Sequence, residues 1–231
     1  MKVAILQSNY IPWKGYFDLI NDVDTFVFYD CVKYTKNDWR NRNKIYVNQS
    51  PQWITVPISN DSTKLSIDEV LISDKRWQDL HFKTLYLGYK KAPYFFQLEE
   101  LILDYLKDRN WENLSSLNQY TIQEISRKIG ISTNFINSRE LDLRGDRVDR
   151  LVNICADLGA SEYISGPAAI SYLTGNEEQF PSKNILLKYK HYPEYPVYKQ
   201  TQGKFETYVS IVDLIANIGW DDIKNYIWKG R

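Results

Sequence analysis

Apolar and polar positions alternate along this chain in blocks that switch between strand and helix periods. Residues 3–6 are four consecutive apolar residues ending at Gln7, so residues 2–7 read as a short buried strand. The turn-rich segment Ser8-Asn9-Tyr10-Ile11-Pro12 follows, and residues 13–21 carry Phe17 and Ile20 at helical spacing. Residues 25–29 form a second strand. Strand, loop, helix and strand at this spacing predict a βαβ unit, which crosses over right-handed and requires a parallel sheet.

Residues 44–47 and 52–58 predict a strand pair turning around Asn48-Gln49-Ser50-Pro51, with Pro57 marking the second strand as an edge. From Trp77 the period becomes helical. Trp77, Leu80, His81, Thr84 and Leu87 share a face until Pro93 interrupts it; Phe95, Leu98, Leu101, Ile102 and Tyr105 make a second face, and Leu117, Thr121, Ile125 and Ile129 a third. Gly130 closes the third helix and residues 133–137 read as a strand. Asp146 and Asp149 open a helix that Gly159 stops; residues 162–165 and 184–189 are strand-like, and Gly166-Pro167 starts a short helix to about residue 173. Ser210 and Asp213 form a capping pair before Leu214, Ile215 and Ile218, and Asp221 caps a last short helix. The expectation is an α/β fold with a mostly parallel sheet, Rossmann-like or nucleotidyltransferase-like. No linker rich in Gly, Ser or Pro divides it, so 1–231 reads as one domain with a helical insertion at about 75–130.

One stretch concentrates candidate chemistry. Residues 30–44 hold Lys33, Lys36, Arg40, Arg42 and Lys44, the aromatics Tyr34 and Trp39, and the amides Asn37, Asn41 and Asn43, just past a predicted strand. Guanidinium forks and amides suit phosphates, and aromatic faces suit a sugar or base. A solvated strand-edge loop explains the composition equally well; position favours a ligand loop, because open α/β sheets bind ligands at the carboxyl ends of their strands. Arg40 and Arg42 point one way in an extended segment and Trp39 and Asn41 the other, so joint use needs a turn, for which Asn37-Asp38 is suited.

Composition narrows the partners. With 29 basic and 29 acidic side chains the formal charge is zero, which removes the long-range argument for nucleic acid. Cys31 and Cys155 do not make a disulfide framework, and two histidines make a zinc site an unattractive reading, so no metal is expected. No run approaches the ~20 apolar residues of a membrane span and no signal peptide opens the chain, so the expected location is the cytoplasm. His81 is a candidate proton-transfer group or a core histidine, His191 a second candidate or a strand-end surface residue. Asp30 is a base or a holder of Arg40 and Arg42, with holding preferred. Cys31 reads first as a small buried hydrophobe and second as a nucleophile, and Ser165-Gly166 as an anion-binding or a plain turn.

The runs Ile5-Leu6-Gln7, Tyr10, Pro12, Gly15-Tyr16-Phe17, Tyr29-Asp30, Trp39 and Asn41-Arg42-Asn43 are similar to the WbqC-like family of bacterial proteins. The similarity continues through Trp53-Ile54, His81, Tyr163-Ile164-Ser165-Gly166 and Asn217-Ile218-Gly219. The chain departs from the family pattern at Ser8 and Lys33, where Pro and Gln are usual, and at Tyr195, where His is usual. The resemblance implies work in O-antigen or surface-polysaccharide biosynthesis on a nucleotide-linked or lipid-linked sugar. On that reading the substrate-binding set is Gln7, Tyr10, Lys36, Trp39, Arg40, Asn41, Arg42, Asn43, Ser165 and Gly166, and the catalytic set His81, His191 and Asp30. The expected activity is acyl or aminoacyl transfer to an amino sugar, with the donor and any cofactor unassigned. The alternatives are a non-catalytic assembly partner of polysaccharide enzymes and a metal-independent glycosyltransferase. A resemblance to nucleotidyltransferases does not extend to chemistry, since Pro12-Trp13-Lys14-Gly15-Tyr16 lacks their paired histidines.

Overall fold

The computed structural model describes residues 1–201 and 203–228. In chain order its elements are β1 (Lys2–Leu6), α1 (Lys14–Asn21), β2 (Thr25–Phe28), β3 (Arg42–Val47), β4 (Ser50–Thr55), α2 (Trp77–Tyr89), α3 (Phe95–Leu106), α4 (Leu114–Lys128), β5 (Asn134–Asn137), α5 (Arg147–Asp157), β6 (Glu162–Ser165), α6 (Ile170–Leu173), β7 (Leu186–Tyr189) and α7 (Ile211–Asp222). Among the described residues the main sheet has five strands, all parallel, in the order β5-β2-β1-β6-β7. The chain steps outward from β1 through β2 to β5, then returns to lay β6 and β7 on the other side. The direction of winding therefore reverses at β1 and β6, where doubly wound sheets open a ligand crevice.

The central strands β1, β2 and β6 are mostly buried because both faces of the sheet are covered there, while the edge strands β5 and β7 are partly exposed. Ala4, Phe26 and Phe28 join the core with Phe17 and Ile20 of α1 and Leu117 and Ile125 of α4. Val3, Ile5, Val27 and Tyr163 point the opposite way, onto Val148, Leu151, Val152 and Cys155 of α5 and onto Leu173 and Phe180. Between β2 and β5 the chain inserts the β3–β4 hairpin and then α2 to α4, and α7 packs on α3. The hairpin precedes the three helices in this stretch.

Two termini show how local sequence sets the ends. Gly130 has φ +76 after α4, its N–H and that of Ile131 reaching back to Arg127 and Ser126 carbonyls at 3.1 and 2.9 Å. The β3–β4 turn is tighter than expected: Asn48 and Gln49 both take positive φ, 51° and 62°, so Ser50 and Pro51 already belong to β4 and Pro57 lies beyond it. Loops 7–13, 29–41, 138–146, 166–169 and 190–209 lie at the carboxyl ends of the five strands.

Candidate functional site

The loop leaving β1 is held by side chains from distant segments. Ser8 N–H donates to Asp30 Oδ1 at 2.8 Å, while Asp30 Oδ2 accepts from the Ser115 hydroxyl and from Gln119 Nε2 (3.1 Å). Asp30 is fully buried. It holds the β1 loop to the start of α4 and does not pair with Arg40 or Arg42, because three nearer donors take up its oxygens. Asn43 Nδ2 donates to the carbonyls of Tyr10 (3.0 Å) and Ile11 (2.9 Å), and Ser210 Oγ donates to Ile11 O at 2.7 Å. Ile11 sits at φ +34, which β-branched residues avoid, so these bonds restrain a strained residue. They present Pro12 and Trp13 at the mouth of the sheet.

The basic loop does turn, with Asn37 at φ +63, but several of its polar groups bond back onto the protein. Arg40 folds back to donate to Asn9 Oδ1 and to Gln7 Oε1 (3.2 Å), and lies 3.6 Å from Asp38. Asn41 accepts from Tyr34 Oη and donates to Val56 O, both at 2.8 Å. Arg42 stacks 4.2 Å from the centroid of Trp53 and donates to the Asn37 carbonyl. Four of the expected ligand groups, Arg40, Asn41, Arg42 and Asn43, are thus engaged in building the loop. Lys36 is exposed, and Trp39 stays 41 % exposed with its ring 5.2 Å from that of Trp53.

Beside this loop lies a cavity of about 350 Å³ lined by Asn9, Pro12, Trp13, Trp39, Asn43, Lys44 and Tyr208. Trp13 and Tyr208 also wall an adjoining cavity of about 390 Å³ that Tyr192, Tyr195 and Phe205 complete. Trp13 contacts Tyr192, Tyr195 and Tyr208 at centroid distances of 5.2, 5.9 and 5.4 Å. Loop 7–13, the hairpin and the segment after β7 each supply part of this surface.

Behind the second cavity is a charged pair that the sequence reading did not single out. Lys14, at the start of α1, is 3 % exposed, and its ammonium has no hydrogen-bond partner among the described residues. The rings of Tyr195, Tyr198 and Phe205 surround it at 4.9, 5.4 and 5.8 Å. Burial lowers Lys14 to about 8, opposed by the nearby Asp213 carboxylate. Burial raises Asp213 to about 6, against the hydrogen bonds it accepts from Tyr198 Oη (2.6 Å) and Gln200 Nε2 (2.9 Å). Asp213, read from sequence as a capping residue, is part of this buried group, and Ser210 alone caps α7, accepting from Val212 N–H. Only the structure shows this, in that α1 buries Lys14 and Asp18 along with Tyr16, Phe17, Leu19 and Ile20, which an ordinary amphipathic surface helix does not.

The remaining predicted residues lie elsewhere. His81 Nε2–H donates to Thr55 O at 3.0 Å, so Nδ1 accepts from Tyr10 Oη at 2.8 Å; Tyr10 and His81 are both buried. Burial lowers His81 to about 4, which keeps the ring neutral between internal partners and away from the cavities. His191 is exposed, one residue before Tyr192. Ser165 is buried with its hydroxyl 3.2 Å from that of Tyr163, and Gly166 borders open space. Cys155 is buried, which pushes its thiol up to about 12, and Cys31 is half-buried. Among the described residues no three His, Cys, Asp or Glu side chains converge as a metal-binding group, and no helix is long and apolar enough to cross a membrane.

A doubly wound sheet with an aromatic and amide-lined cavity at the carboxyl end of its first strand defines an α/β protein of the crevice-binding kind. The chain belongs to the WbqC-like protein family, matching it over residues 7–225. It is similar to the uncharacterized protein Rv1507c of Mycobacterium tuberculosis (strain ATCC 25618 / H37Rv), at 42 % identity over 219 residues and 94 % of each chain. No solved structure matches it.

Proposed function

We propose that the protein is a cytoplasmic transferase of bacterial surface-polysaccharide (O-antigen) biosynthesis that acts on a nucleotide-linked sugar, moving an acyl or aminoacyl group onto a sugar amine. One observation carries this reading: the cavity beside β1 combines three aromatic walls, Trp13, Trp39 and Tyr208, with Asn9, Asn43 and Lys44. Aromatic faces cover the C–H face of a pyranose, while the Asn9 amide and the Lys44 ammonium reach its hydroxyls; Asn43, whose amide is taken by Tyr10 O, Ile11 O and Lys44 N–H, only walls the cavity. In such a transfer the sugar ammonium must first lose a proton; the amine then attacks the acyl carbonyl and the donor's leaving group departs. Lys14 and Asp213, both titrating near neutrality, and His191, next to Tyr192, are the groups near the adjoining cavity suited to handle that proton. His81 is left with a packing role.

A second reading, an assembly partner of polysaccharide enzymes, is favoured by the exposure of Leu80, Leu87 and Phe96 on α2 and α3. Thermal shift and calorimetry with nucleoside-diphosphate sugars, the free diphosphates and free amino sugars separate the two. The transferase reading expects a stabilisation of about 2.7 kcal/mol at a hundredfold excess of nucleotide sugar over its Kd. It also expects Trp39→Ala and Tyr208→Ala each to weaken that ligand at least tenfold without lowering the melting temperature. A flat response to every nucleotide sugar at millimolar concentration overturns it in favour of the assembly role.

A further inference from the structure

The carboxyl edge of the sheet has a second mouth, on the α5 side and away from Trp13. Tyr29 just past β2 and Tyr189 at the end of β7 pack into the core layer on that side, beside Tyr172 of α6. Ser165 ends β6 between them, paired in register with Tyr189. Two arginines of α5 close the group. The Arg147 guanidinium stacks 4.1 Å from the centroid of Tyr172, and Arg150 lies beside the Tyr29 hydroxyl while donating to Gly145 O at 3.1 Å.

These arginines differ from their neighbours. Arg139 is bound to Asp68, and Arg144 to Asp142 and Asp157. Arg147 and Arg150 form no ion pair with a carboxylate among the described residues, although Asp146 and Asp149 flank them at the start of α5; Glu177 lies beside Tyr189, and its carboxylate accepts from Gly175 N–H. Two polar atoms here are also buried and unsatisfied among the described residues, Arg150 Nε and Tyr189 Oη. Native proteins leave few such donors without a partner, and a ligand that accepts hydrogen bonds would satisfy both. The backbone there is open, since no atom lies within 4 Å of where a Cβ on Gly166 would project.

Two guanidiniums without a carboxylate ion pair among the described residues, with several phenolic hydroxyls beside them, suit an anion with many acceptor oxygens. A carboxylate offers two, whereas a phosphate or diphosphate offers enough to meet both forks. The position agrees, since β1 and β6 form the switch point of the sheet. We propose that Arg147 and Arg150, with Tyr29, Tyr172 and Tyr189 around Gly166, form a phosphate-binding site that takes the diphosphate of a nucleotide-linked ligand. The identity of that ligand rests on the proposed function; the affinity for phosphate does not.

Calorimetry of the full chain with inorganic pyrophosphate, then with a nucleoside diphosphate, tests this. Arg147→Gln and Arg150→Gln are each expected to weaken pyrophosphate at least tenfold, and the double variant to abolish binding at millimolar ligand. Lys36→Gln, in the other basic loop, is expected to change it less than twofold. Gly166→Val reads the same site without touching either arginine or requiring a strained backbone, since Gly166 has φ −67, and should also abolish binding if an arginine variant fails to fold. Failure of the parent to bind pyrophosphate, or binding indifferent to Arg147→Gln and Gly166→Val, overturns the site. If pyrophosphate behaves as expected but no nucleotide sugar binds, the site stands and the transferase reading falls. If nucleotide sugars bind through Trp39 and Tyr208 with Arg147→Gln and Gly166→Val silent, the reverse holds.

Discussion

Replacing Lys14 by Met should make the protein more stable and less functional. The Met side chain fills a similar unbranched volume between Tyr195, Tyr198 and Phe205 but carries no charge into that site. Lowering the ammonium from 10.5 to about 8 corresponds to roughly 3 kcal/mol against folding with Lys14 charged, at about 1.36 kcal/mol per pH unit. Attraction to Asp213 is already contained in that figure. Attraction to the three rings offsets about 0.5–2 kcal/mol, and solvent in the adjoining cavity softens the rest, leaving a gain of roughly 1–3 kcal/mol at pH 7. At about 2–4 °C per kcal/mol for a chain of this size, the melting temperature should rise by roughly 2–12 °C. The pH dependence gives a second check. Between about 8 and 10.5 the unfolded chain binds a proton that the folded chain does not, so the parent gains stability across that window and Lys14→Met should not. Thermal melts from pH 7 to 10.5 measure both effects. A variant less stable than the parent at pH 7, with the alkaline rise intact, would show that the amine has a hydrogen-bonded structural role and refute the reasoning.

His81, lowered to about 4, should cost the parent up to roughly 3 kcal/mol as pH falls from 6.5 towards 4, because the unfolded chain takes up its proton first. His81→Gln should flatten that loss in urea melts while leaving sugar affinity within threefold; loss of turnover with stability unchanged would restore a catalytic His81. Arg42→Lys should forfeit the planar stack on Trp53, lowering stability by about 0.5–1 kcal/mol, and leave pyrophosphate affinity within threefold by calorimetry. A tenfold loss of affinity would return the phosphate to the 30–44 loop.

Elements with an unbroken strand or helix period were legible from it, however distant their partners. The stretch 162–165 is β6 as read, and the three apolar faces between Trp77 and Ile129 are α2, α3 and α4. Where the chain leaves regular periods, pattern reading had nothing to hold. Among the described residues the segment after β7 has no helix or strand until α7, yet it supplies Tyr192, Tyr195, Phe205 and Tyr208 to the cavities. It is held over α1 by the buried Lys190 ammonium between Asp18 and Asp22 and by the Tyr195 hydroxyl on Asp18 at 2.6 Å. Asp30 was misread for a related reason: Arg40 and Arg42 are its neighbours in sequence, but Ser115, 85 residues away, is its neighbour in space.

The positions that break local rules cluster. Ile11 takes a conformation suited to glycine, and Lys14, Asp18 and Asp30 bury charge-bearing side chains, all at or beside the loop and helix that follow β1. Each departure opposes folding on its own, and each is met by a dedicated partner except the Lys14 amine, which among the described residues has only aromatic faces around it. Proteins tolerate concentrated violations of this kind where function demands a fixed geometry. The strain at Ile11 aims Trp13 into the cavity wall, and the next residue carries the buried amine. That adjacency makes the Trp13 face, more than the basic loop, the stronger candidate site on its side of the sheet. The basic loop then serves as a frame, its Arg40 and Asn43 holding the β1 loop from the other side.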